Sequence, residues 1–308
     1  MKNLNCFKGI IPAFYACYDC HGEVDPEAVR TLTSYFVREG VRGVYVGGSS
    51  GECIYQSPED RMKTLESVMD AADGKLTVIA HVACNSTADS RILAAHAESL
   101  GVDAIASIPP IYFHLPEYGI AEYWNDISAA APHTPFIIYN IPQLAGTALT
   151  MNLLSAMLEN PNVIGVKNSS MPVQDIQMFK ALGRTKRDDF IVFNGPDEQL
   201  VSGLAIGADA GIGGTYGAMP GLFLKIFSLV RENRIDEARD IQNAADTIIY
   251  KLCSGHGNMY GIIKEVLRIR EGIDIGGVRK PLTEITESDR TIAQEAAAMI
   301  DEAIQKYI

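Results

Sequence analysis

Short apolar runs alternate with longer amphipathic stretches along this chain. Runs rich in Ile, Val, Ala and Tyr cover 9–16, 43–47, 76–82, 103–108, 135–140, 163–167, 190–194 and 210–214. Each is too continuous to leave one face in water, the pattern of a strand buried on both sides. Helical spacing fills the gaps at 26–39, 58–73, 86–100, 117–131, 150–160, 173–183, 197–206 and 218–231. Asp25-Pro26-Glu27 and Ser57-Pro58-Glu59 carry helix-start signals, and Gly40 and Gly101 sit where a helix would stop. Eight strands, each followed by a helix, predict an α/β protein, a parallel (β/α)8 TIM barrel. An open doubly wound sheet would normally bring a glycine-rich phosphate turn. The nearest candidate, at 211–216, lacks the last glycine of G-x-G-x-x-G. Beyond Arg231, helical spacing recurs at 235–251, 257–270 and 288–307. The expected organisation is a catalytic barrel over 1–231 and a three-helix extension over 232–308 packed on it.

Charge and cysteine usage narrow the function classes. A net charge of -12 over 308 residues argues against general binding to nucleic acid or an anionic membrane. It leaves an anionic substrate open, because backbone amides can hold a carboxylate locally. Cys17 and Cys20 have C-x-x-C spacing with no second pair or close His pair, so the six cysteines read as free thiols of a reducing cytosol. No signal peptide and no apolar run of membrane-spanning length is present, which points to a cytoplasmic protein. No Asp, Glu and His grouping has metal-ligand spacing, so no metal is expected.

The candidate chemistry sits at strand ends, where a β/α barrel builds its active site. Lys167 and Tyr139 close apolar runs 28 positions apart, the span of one strand-loop-helix-loop unit. A partly desolvated lysine becomes a nucleophilic amine, and a neighbouring phenol can move protons. Gly47-Gly48-Ser49-Ser50-Gly51, after the second run, can present N–H and O–H donors to one anion. Each has a plainer alternative: a lysine snorkelling to solvent, a core aromatic, an ordinary Gly/Ser loop. His81 and Cys84 end the third run, where a satisfied barrel-layer histidine is the simpler reading.

Tyr45-Val46-Gly47-Gly48-Ser49-Ser50-Gly51-Glu52, Tyr139-Asn140-Ile141-Pro142 and Gly165-Val166-Lys167-Asn168-Ser169 together resemble the dihydrodipicolinate synthase / N-acetylneuraminate lyase superfamily. The resemblance runs over nearly the whole chain. It implies a pyruvate-dependent class I aldolase, a homotetramer, whose lysine forms a covalent Schiff base without a cofactor. Lys167 matches the Schiff-base lysine, Tyr139 the catalytic tyrosine, and Ser49 and Ser50 the pair that binds the pyruvyl carboxylate. Ser50 is expected to relay protons with Tyr139. Tyr112 matches an aromatic lent to the neighbouring subunit's site. Substrate contacts are implied for Gly48, Ser49, Ser50, Gly51, Ser169, Gly195, Asp197, Glu198 and Gly213.

Within the superfamily the details favour the lyase. Synthases carry an arginine shortly after the Tyr-Asn-x-Pro motif, and here no Lys or Arg stands between Phe136 and Asn160. Asp197 and Glu198 match an acidic pair that binds sugar hydroxyls. Ser50 and Ser169 stand where the lyase usually has Thr, Pro196 where it has an aromatic, and Gly214 where it has a serine reaching the sugar tail. The last two weigh against sialic acid itself. The expected partners are pyruvate and an aldehyde or sugar. The alternatives are a dihydrodipicolinate synthase, another pyruvate aldolase or dehydratase, and a non-catalytic 2-oxo-acid-binding paralogue.

Overall fold

The computed structural model describes residues 4–308. Its strands are Ile10–Pro12 (β1), Gly43–Val46 (β2), Thr77–His81 (β3), Ala104–Ser107 (β4), Phe136–Asn140 (β5), Val163–Asn168 (β6), Ile191–Asn194 (β7) and Ala210–Gly213 (β8). All pair in parallel, in the order β1-β8-β7-β6-β5-β4-β3-β2. A parallel bridge between Ala13 and Tyr45 joins the two edges, with Phe14 N–H donating to the Tyr45 carbonyl at 2.9 Å. The sheet therefore closes into the predicted TIM barrel.

Helices follow the strands at Pro26–Arg38 (α1), Pro58–Ala72 (α2), Thr87–Ser99 (α3), Glu117–Ala130 (α4), Pro142–Ala145 (α5), Met151–Met157 (α6), Gln174–Arg184 (α7), Leu200–Ala205 (α8) and Pro220–Arg231 (α9). Asp25 and Ser57 cap α1 and α2 as their sequences predict, each with proline in the first turn. Gly40 and Gly101 adopt positive φ just past α1 and α3.

Two apolar layers follow from the two faces of each strand. Ile11, Tyr45, Ile79, Ile137, Phe193 and Ile212 fill the barrel interior. Ile10, Val44, Val78, Ile138 and Val192 pack outward on the helices. That outer cluster continues without a break into Ile235–Cys253 (α10), Met259–Glu271 (α11) and Glu287–Tyr307 (α12). Among the described residues no helix is long and apolar enough to cross a membrane.

Three elements differ from the sequence expectation. The first strand is short because the chain leaves the ladder after the Ala13–Tyr45 bridge; Ala16 N–H bonds the Ser50 carbonyl at 3.3 Å. The helix expected at 197–206 divides into a 3-10 turn, Asp197–Gln199, and the shorter α8. The one-turn helix α5, after β5, has no counterpart in the hydrophobic pattern.

Candidate active site

Strand register brings the two central side chains together. Tyr139 on β5 pairs with Lys167 on β6, and Lys167 pairs with Phe193 on β7. All three stand at one level near the C-terminal ends of their strands. One residue further, Asn140 Nδ2 donates to Asn168 Oδ1 at 2.7 Å, and Asn140 Oδ1 accepts from Leu149 N–H. This buried amide pair ties β5 to β6 just above the site, worth about 1 kcal/mol net per hydrogen bond.

The Lys167 amine lies 3.7 Å from the centroid of the Tyr139 ring and 4.3 Å from that of Tyr45. Among the described residues it forms no salt bridge. Burial lowers its pKa from 10.5 to about 7, against a smaller upward pull from the Asp197 carboxylate. Tyr139 is pushed the other way, to about 12, chiefly by burial. The Ser49 and Ser169 hydroxyls offset part of that rise. At neutral pH the site therefore holds a proton on the phenol beside an amine near its titration midpoint.

A cavity of about 360 Å³ opens above these groups. Ser49, Ser50, Tyr139, Lys167, Ser169, Gly195, Asp197 and Glu198 all line it. Gly48, Gly51 and Gly213 lie outside the lining. The Gly51 and Glu52 amides bond back to the Gly48 and Ser49 carbonyls at 3.0 Å each, which leaves the two serines to meet a ligand. Gly213 makes room for Asp197, since a Cβ there would fall 2.1 Å from Asp197 Oδ1.

The two serines act on different phenols. Ser49, with Ser169, pulls the Tyr139 phenol's pKa down. The Ser50 hydroxyl does the same for Tyr260 of α11. Gly214 lies beside both the Ser50 and Tyr260 hydroxyls. A Cβ there would lie 3.3 Å from Ser50 Oγ and 3.4 Å from Tyr260 Oη, so a serine would crowd these hydroxyls first.

Asp197 is buried, and its Oδ2 accepts from both Thr215 N–H and Thr215 Oγ1, each at 2.6 Å. Burial raises its pKa to about 6; the Thr215 bonds oppose the rise. Glu198 is exposed at the rim. Tyr112 stands apart from this cavity. It is 88% exposed, has φ 83°, and lines a separate cavity of about 630 Å³ with Asn85, Phe113 and Tyr123. That larger cavity holds no lysine, whereas Lys167 lines the smaller one.

His81 is a buried neighbour of the barrel aromatics, its ring 5.9 Å from Tyr139 and edge-on. Its Nδ1–H donates to the Gly47 carbonyl at 2.8 Å, and burial holds it neutral, well below the usual histidine range. Cys84 accepts a contact from buried Arg61, away from the Lys167 cavity. Cys17 is buried and Cys20 exposed, both free thiols. Among the described residues no group of three or more His, Cys, Asp and Glu is placed to hold a metal ion.

The pattern of the sequence did not reveal the contribution of the extension. Ile249 and Cys253 from α10 and Met259 and Tyr260 from α11 form one cavity wall. Behind the serine loop, Glu52 takes φ 56° and is buried with Lys264 of α11, whose Nζ lies 3.0 Å from its carboxylate. Arg279 N–H donates to the same carboxylate at 2.8 Å. These partners are more than two hundred positions from Glu52, beyond any periodicity argument.

Comparison with known proteins agrees with this geometry. The model of the Dihydrodipicolinate synthetase family matches residues 6–300. N-acetylneuraminate lyase of Mediterraneibacter gnavus is 64% identical over 308 residues, covering 100% of this chain and 97% of that protein. N-acetylneuraminate lyase 2 of Escherichia coli is 33% identical over 296 residues, covering 96% and 95%. The solved structure of a catalytic lysine mutant of Ruminococcus gnavus sialic acid aldolase superposes with a TM-score of 0.98 at 63% identity, over 100% of both chains.

Proposed function

The chain belongs to the dihydrodipicolinate synthetase family, and we propose that within it the protein is a Schiff-base lyase cleaving a 2-oxo sugar acid of the N-acetylneuraminate type to pyruvate and an aldehyde. The observation that carries this reading is the buried Lys167 amine, its pKa brought down to about 7 between two aromatic faces. A relative with 64% identity named for that lyase, and a structural neighbour described by its catalytic lysine, support it.

Lys167 attacks the C2 carbonyl, and loss of water gives a protonated imine. The C3–C4 bond then breaks, its electron pair entering the iminium to form an enamine. Beside the iminium Tyr139 first releases its own proton to solvent; as phenolate, with Ser49 beside it, it takes the proton of the C4 hydroxyl and returns one to C3. Positive charge on the adjacent iminium stabilises a phenolate, which makes this transfer easier than the high pKa of the unliganded phenol suggests. Water releases pyruvate from the lysine. Ser49 and Ser50 hold the C1 carboxylate, and Asp197 and Glu198 hold sugar hydroxyls. The steps draw on the lysine alone and need neither metal nor organic cofactor.

Two outcomes separate lyase from synthase. We expect cleavage of N-acetylneuraminate to outrun condensation of pyruvate with aspartate semialdehyde. Gln143 and Leu144 of α5 line the cavity after the Tyr139 strand, with no basic side chain there to grip a second carboxylate. Faster condensation with the semialdehyde would transfer the protein to the synthase class.

We further read the protein as a cytoplasmic homotetramer. Tyr112, Phe113 and Tyr118 are 88%, 72% and 77% exposed, an apolar cluster that a second copy would cover. Sedimentation as a monomer at micromolar concentration, with full activity, would overturn this part of the reading and the lending of Tyr112 with it.

A further inference from the structure

The turn that carries Asp197 and Glu198 has no local cap. Neither the 3-10 turn Asp197–Gln199 nor α8 behind it receives a side-chain cap from its own N-terminal residue. First-turn amides without partners leave a helix start free to fray. Here the missing partner comes from α10. Gln242, buried on that helix, accepts from Val201 N–H through Oε1 at 3.1 Å. Its Nε2 donates to the Asp197 backbone carbonyl at 3.0 Å and to Asp246 Oδ1 at 2.8 Å.

These partners fix which way the amide points. Turned over, Gln242 would set its oxygen against a carbonyl and a carboxylate, and its NH2 against an N–H. One amide therefore grips the turn at both ends while Thr215 grips the Asp197 carboxylate from the far side. The backbone is held from the extension and the side chain from the barrel.

We propose that Gln242 is a positioning residue for the aldehyde half of the substrate, acting through the Asp197–Leu200 turn and touching no substrate itself. It rests on the reading of Asp197 and Glu198 as the sugar-binding pair. The clasp reaches the pyruvate half only through the Asp197 carboxylate's weak pull on Lys167 and Tyr139, which with Ser49 sit on other elements. Losing Gln242 should therefore divide the two halves of the reaction.

Gln242→Met keeps the length and apolar packing and removes all three hydrogen bonds. Gln242→Glu keeps the size and serves if the first variant fails to fold. In the condensation direction with N-acetylmannosamine and pyruvate, the aldehyde KM should rise about tenfold, in line with one or two net hydrogen bonds. The pyruvate KM and borohydride trapping should stay within about twofold of the parent protein. Amide hydrogen exchange over 197–204 should quicken in the same variants without any substrate present. Unchanged exchange, an unchanged aldehyde KM, or an equal rise in both KM values would each overturn the proposal. If the parent protein itself fails to cleave N-acetylneuraminate, the substrate reading falls instead, and the exchange measurement alone decides whether Gln242 holds the turn.

Discussion

Borohydride added to the protein with pyruvate should leave a reduced pyruvyl group on Lys167 and on no other lysine. Among the described residues three lysines are buried: Lys167, Lys180 and Lys264. Burial lowers the pKa of each, yet the last two are committed elsewhere. Lys180 is paired with Asp209 and bonded to the Gly207 carbonyl. Lys264 is paired with Glu52 and bonded to the Gly277 carbonyl. Lys167 faces ring carbons and a cavity. With a pKa of about 7, about half of it is free base at neutral pH, against a few in ten thousand for an ordinary lysine. Free base is the form present above the pKa, so the nucleophilic fraction should rise about tenfold between pH 6 and pH 8 and then level off. Trapping rates measured by mass spectrometry across that range test this directly. Lys167→Ala should abolish trapping and turnover while leaving the fold intact, since it removes a buried group that bonds no carboxylate. An adduct on another lysine, or none at all, would end the mechanism.

Much of this was legible because strand ends are the part of a barrel that sequence marks most clearly. An apolar run that stops at a titratable residue places that residue at the rim, and equal offsets along β5 and β6 put Tyr139 beside Lys167. The same logic could not separate Ser49 from Ser50. Both lie in a loop without periodicity, where a side chain's direction depends on local backbone angles. Tyr260, Gln242 and Lys264 were hidden for another reason. Each acts from the extension on a barrel loop far away in sequence, and the helical pattern that places them says only that they face inward. Helix α8 came out shorter than expected because its start has no cap of its own, and the amide that replaces one arrives from α10.

Tyr139→Phe should lower turnover by about 10²–10⁴-fold, the usual worth of a positioned acid or base. That loss corresponds to roughly 3–5 kcal/mol of transition-state stabilisation. The substitution isolates the hydroxyl. The ring would still cover the Lys167 amine at 3.7 Å and still meet Tyr45 edge-on at 5.6 Å, so desolvation of the amine should persist. Imine formation should therefore survive better than cleavage, and borohydride trapping of pyruvate should fall far less than turnover. Ser49→Ala should give a smaller turnover loss than Tyr139→Phe, because Ser169 still bonds the phenol. Ser50→Ala is expected to raise the KM for pyruvate more than it lowers kcat, its hydroxyl lying on the Tyr260 side of the cavity. Unchanged turnover in Tyr139→Phe would reduce Tyr139 to a packing aromatic. Equal losses in trapping and turnover would move its proton transfer from C–C cleavage to formation of the imine, where water must leave the carbinolamine carbon beside the same hydroxyl.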